Sequence, residues 1–98
     1  MSGPPEPEVT ARLRRALEAF QKANTLLLTA HRKLKGLPPE EVDRFWMSAG
    51  ARLEAHVNIA SAEARAAFKA FSAAGLVASA HDRRLVNDAQ RYLAEGNR

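Results

Sequence analysis

Residues 60–77 read ASAEARAAFKAFSAAGLV. Eight of these eighteen residues are alanine, and the stretch closes on Ala74-Gly75-Leu76-Val77. Alanine is the strongest helix former, so the segment is helical under any reading. What decides the fold is whether it continues a helix that begins near Pro39 or opens a new one.

A single helix over 39–74 would be about 54 Å long. Phe45, Ala49, Leu53, His56, Ala60, Ala64, Ala67 and Phe71 hold one helical phase across it. Other residues favour a break near 57–60. Val57, Ile59 and Phe68 fall off that stripe. Asn58 tolerates the left-handed conformation that ends helices. Ser61 is a good N-cap, with Glu63 inside the next turn.

With a turn at Asn58, residues 53–74 resemble a helix-turn-helix. LEAHV (53–57) would close the first helix and Ile59 would pack between the two. The second helix would run over 61–74, with Ala64, Phe68 and Phe71 inward. The closing AAGLV is similar to the end of the recognition helix in winged-helix regulators, and HDRR (81–84) resembles the basic tip of a wing. The resemblance spans about 25 to 30 residues, close to the size of one supersecondary unit, and implies DNA contact through Ser61, Glu63, Arg65 and Lys69. Two features depart from it: LVASAHDRRLVND lacks strand alternation, and the second helix offers few of the side chains that read bases. One long helix, a helix-turn-helix and some other break all stay open.

Upstream, a first helix is expected from Glu8 or Val9 to Lys35, stopped by Gly36 and Pro38-Pro39. Leu13, Phe20, Leu27 and Leu34 recur every seven residues, with Thr10, Leu17, Asn24 and His31 three before each. That is an a/d-like seam over nearly four heptads. A polar Asn24 or His31 on such a seam can fix register or oligomeric state. The opposite face carries Arg15, Lys22 and Lys33, flanked by Arg14 and Arg32, with Leu26 lying toward it. Between Val9 and Gly36 there are seven Lys and Arg against the single acid Glu18.

After GLPPEE a second helical region opens. Pro39 suits a first turn, and Glu40, Glu41 and Asp43 suit the positive end of the dipole. Of Phe45, Trp46 and Met47, two are expected to pack on the first helix and one to project. A last helix is expected from Ser79, with Asp82 three residues on, to Gly96.

The predicted fold is therefore all-α, a small bundle of three to four helices. Residues 1–8, with three prolines, read as a disordered tail, and 9–98 as one domain. No signal-peptide h-region or membrane-length apolar run is visible, so a cytoplasmic location and no membrane partner are expected.

The chain has no cysteine, which excludes disulfides, thiolate metal sites and a cysteine nucleophile. Histidines 31, 56 and 81 each follow an alanine. Their flanks do not repeat, and none has the i+3 or i+4 partner of a helical metal site. Glu40, Glu41 and Asp43 are explained by the helix dipole. Glu63 is expected to pair with Arg52 or Arg65. There is no glycine-rich phosphate loop. No enzyme, cofactor or metal is expected.

Fifteen Lys and Arg against eleven Asp and Glu give a net charge of +4, which suits a nucleic acid or an acidic protein. The expected function is phosphate contact through Arg14, Arg15, Lys22, Arg32, Lys33, Arg65, Lys69, Arg83 and Arg84, in regulation or as a small subunit of a nucleoprotein complex. The Ala/Arg-rich make-up suggests a bacterial or phage origin. The rival is a protein–protein module that oligomerises through the seam of Leu13, Phe20, Leu27 and Leu34, or grips a partner's acidic surface, with Trp46 as an anchor. The two part on whether positive charge is contiguous from the first helix to Arg83 and Arg84.

Overall fold

The computed structural model describes residues 6–96, with side chains to residue 95. They form four helices: α1 (Glu6–Leu34), α2 (Pro39–Trp46), α3 (Ala49–Ala73) and α4 (Ala80–Gly96). No strand occurs among the described residues. The all-α bundle expected from the sequence is the fold. It is a rod of 57 × 23 × 20 Å in which α3 touches each of the other three helices.

The helix ends follow local chemistry. α1 opens with Glu6 and Glu8 and closes with His31, Arg32 and Lys33, which complements the dipole at both ends. It starts at Glu6, so residues 6–8 of the predicted tail belong to its first turn; residues 1–5 lie outside the described residues. Gly36, at φ +86°, turns the chain, and Pro39 opens α2. At the far end of α3, Gly75 sits at φ +82°. Its N–H reaches Ser72 O at 2.9 Å, and the Leu76 N–H reaches Phe71 O at 3.3 Å. This paired closure is the Schellman motif. Ser79 caps α4, accepting from the Asp82 N–H at 3.1 Å, as its sequence signal indicates.

The decisive stretch belongs to a helix that runs unbroken through Asn58, Ser61 and Ala73. This overturns the helix-turn-helix over 53–74, and with it the wing at 81–84, which is the first turn of α4. It also overturns the single helix over 39–74, because the chain breaks earlier, at Met47-Ser48. There the Ser48 hydroxyl donates to Arg44 O (2.8 Å) and Phe45 O (3.3 Å) and closes α2. Gly50 is buried beneath the Phe45 and Trp46 rings; a Cβ at this position would collide with Trp46 and stand 2.9 Å from Phe45 Cε1. Only a glycine lets α2 fold this closely over the start of α3.

Ser61 is not a cap. It lies mid-helix with no surface exposed, among Val57, Ala64 and Ala67, and its hydroxyl has no hydrogen-bond partner. The buried residues of α3 spread wider than one stripe because α3 faces α1 on one side and α4 on the other. Val57, off the stripe predicted for a straight helix, is fully buried for that reason.

Leu13, Leu17, Phe20 and Leu27 of α1 form one core with Val57, Ala64, Ala67 and Phe71 of α3 and Val86 and Ala89 of α4. The predicted seam is thus an internal contact. As a partner interface, Leu13, Phe20 and Leu27 are ruled out by burial, Phe20 being 1% exposed; Leu34 is half-buried. The apolar face of α1 is covered by the chain's own helices because they are long enough to span it.

Candidate functional site

Helical periodicity divides the outside of α1 into three faces. Toward α4 it presents Arg14, Glu18 and Gln21, which adjoin His81 and Asp82. Toward α3 it presents Ala19, Ala23 and Leu26. Between them, Arg15, Lys22 and Lys33 fall within about 20° of one line and span about 27 Å. All three are exposed and, among the described residues, have no ion-pair partner.

Of the other predicted phosphate contacts, Arg14 shares one surface hollow with Arg15 and another with His81 and Asp82. Arg65 lies on the α3–α4 side, beside Gln90, Leu93 and Ala94. Lys69, Arg83 and Arg84 are exposed. Lys69 follows Arg65 by one turn of α3, and Arg83 and Arg84 sit at the start of α4. Arg32 lies on the Arg14 side of α1. Arg65 thus lies apart from this line, while Arg14 leads from Arg15 toward the start of α4, where Arg83 and Arg84 sit.

The α1–α3 groove, on the side away from α4, has a different character. Its floor is Ala19, Ala23 and Ala60, and its walls are Leu26, Leu53 and Ile59. Leu26 is 53% exposed and Ile59 69%. Lys22, His56 and Glu63 stand at its rim. Single exposed apolar residues are ordinary, whereas a contiguous set rimmed by polar groups marks a contact surface. Leu26 stood out in the sequence by lying toward the basic face, and Ile59 by falling off the apolar stripe. What sequence alone did not reveal is that the two share one groove.

Glu63 does not pair with Arg52 or Arg65. Arg12 holds it in a fork, Nε to Oε2 at 2.8 Å and Nη2 to Oε1 at 3.1 Å. These hydrogen bonds hold the Glu63 carboxyl below its ordinary value, with Arg15 adding a weaker pull in the same direction. Both carboxylate oxygens are engaged, so the free charge at the rim is positive.

Trp46 is half-buried and packs on His31 (ring centroids 4.6 Å) and edge-on to Phe45 (5.0 Å). It fastens α2 to the end of α1; of the aromatic cluster, Met47 is the residue that projects, at 84% exposure. Asn24, on the predicted seam, is half-buried and His31 exposed. Among the described residues no three His, Asp or Glu side chains gather as a metal site, and no helix is long and apolar enough to cross a membrane. The chain matches no family model, no curated protein and no solved structure.

Proposed function

We propose that this chain is a non-enzymatic helical module that binds an acidic protein partner through the α1–α3 groove. The observation that carries this reading is the pairing of Leu26 with Ile59, both more than half exposed over an alanine floor, beside the cationic line of α1. Apolar anchors inside a charged rim are the anatomy of a protein interface. The test is a photo-crosslinking side chain at position 59, with a second at the exposed Arg65, about 120° away around α3 on its α4 side. The reading expects a discrete protein adduct from position 59 that Leu26→Glu removes, and no such adduct from position 65. Equal labelling from both positions rejects it.

A second reading, contact with nucleic-acid phosphates, is favoured by the unpaired line of Arg15, Lys22 and Lys33. Phosphate contact releases counterions, so affinity would fall steeply with salt. Fluorescence anisotropy with a labelled random duplex and a single strand tests it. Micromolar binding at about 50 mM salt, lost on Arg15→Ala or Lys22→Ala, supports phosphate contact; no binding there rejects it, since the electrostatic attraction is strongest at low salt.

A further inference from the structure

The core of this protein has two sides. Leu85, Val86, Ala89 and Tyr92 of α4 pack against the α1–α3 pair on one of them. The groove of Leu26 and Ile59 is the corresponding slot on the other, and among the described residues nothing fills it. We propose that this slot takes one amphipathic helix whose apolar stripe is flanked by Asp or Glu, completing a four-helix arrangement. The proposal rests on the reading of the groove as a protein-binding surface and specifies its occupant.

Shape argues for a helix. The groove runs between two packed helices, from Ala19 to Leu26 on one and from Leu53 to Glu63 on the other. Those spans are about 10 and 15 Å, or two to three turns of a bound helix. Ala19, Ala23 and Ala60 keep the floor shallow, so an incoming helix axis can reach the 8–10 Å typical of packed helices. Leu26 and Ile59 then stand on either side of its stripe, as in other helix-in-groove complexes.

Charge argues for acidic flanks. Lys22 stands at the α1 rim, with Arg15 and Lys33 on the same line. On α3, Arg52 lies one turn before His56 on the same face and is exposed. Among the described residues the one acid that lines the groove, Glu63, is held on both oxygens by Arg12. A second copy of this chain would bring its own Lys22 and Arg52 against the same cations with no free carboxylate in the groove lining, a like-charge juxtaposition that opposes association. The chain as its own partner is therefore disfavoured, and an acidic helix is complementary.

Two labelled synthetic peptides of about four helical turns test this. Both carry a Leu/Ala stripe at i, i+3, i+4 and i+7; one has Glu on the flanks, the other Lys. Anisotropy at low salt is expected to show the Glu peptide binding at least about tenfold more tightly than the Lys peptide. Ile59→Glu and Leu26→Glu are each expected to weaken it by about tenfold or more. Lys22→Glu weakens the Glu peptide and narrows the gap between the two. Both apolar positions are exposed, so circular dichroism should show an intact fold; Ile59→Ala, a milder change, should weaken binding in the same direction. Equal binding of the two peptides, no binding, or no effect of Ile59→Glu overturns the proposal. So does a dimer in sedimentation that Ile59→Glu dissociates, which would make a second copy the occupant. A protein adduct at position 59 without binding of the Glu peptide rejects the acidic helix and leaves the groove reading standing; loss of both rejects both.

Discussion

Arg12 and Glu63, fifty-one residues apart in sequence, meet in a two-pronged ion pair that ties the first half of α1 to the middle of α3. The pair bridges the two helices and engages the one acid that lines the groove among the described residues. Arg12, through its hydrogen bonds, lowers the pKa of Glu63 in the fold. A carboxyl whose folded pKa is depressed contributes stability above its unfolded pKa, about 4.3, and loses it as pH falls through the folded value. Glu63→Gln should therefore lower the melting temperature near neutral pH, with the gap to wild type closing below about pH 4. The gap should be small and shrink in high salt, because the two side chains keep 41% and 46% of their surface in water. Melting curves of both proteins across pH check this; a gap that widens on acidification contradicts it.

Gly50 is the seat on which the Phe45 and Trp46 rings of α2 pack against the start of α3. Gly50→Ala should push Trp46 off His31, cost about 1–3 kcal/mol as overpacking does, and shift the tryptophan emission to longer wavelength. Denaturant unfolding followed by fluorescence measures both effects.

Ser61 buries a hydroxyl without a partner. Removing an unsatisfied buried polar group relieves its desolvation cost, and alanine is the better helix former. Ser61→Ala should leave stability unchanged or raise it by up to about 1 kcal/mol. A loss greater than that would show that the hydroxyl is bonded in the fold.

The two faces of α1 should respond oppositely to truncation. Phe20→Ala empties a core position and should cost about 3–5 kcal/mol. Leu26→Ala, on the open groove, should stay within about 0.5 kcal/mol. Similar costs at the two sites would mean that Leu26 is covered in solution.

The legible parts of the sequence were those in which one local pattern faced one environment. The seven-residue repeat from Leu13 to Leu27 marked the buried face of α1 because that face meets a single continuous core. The Ser79–Asp82 cap and Gly36 with Pro38-Pro39 marked helix ends because their chemistry is local. α3 was harder to read. Alanine fits any helical face, so the phase from Phe45 to Phe71 ran through the real break at Met47-Ser48 without a gap. Asn58 and Ser61, both good turn and cap residues, stay helical because burial of Val57, Ala64 and Ala67 on either side outweighs their local preference. Whether the α1 seam would face an outside partner or the chain's own helices depended on topology, which periodicity does not carry. The groove escaped notice because Leu26 and Ile59 are thirty-three residues apart and become neighbours only when α3 packs along α1.

Amide chemical-shift mapping by NMR, with the Glu-flanked peptide titrated into labelled protein, locates the working surface in a single experiment. Shifts should concentrate at Ala19, Lys22, Ala23, Leu26, Leu53 and Ile59, while Arg84 and Arg91 on the outside of α4 stay fixed. Shifts scattered over Arg14, Arg32, Arg65 and Arg83 would mean that the peptide senses only the diffuse positive charge of the bundle, and the groove would lose its role as the recognition site.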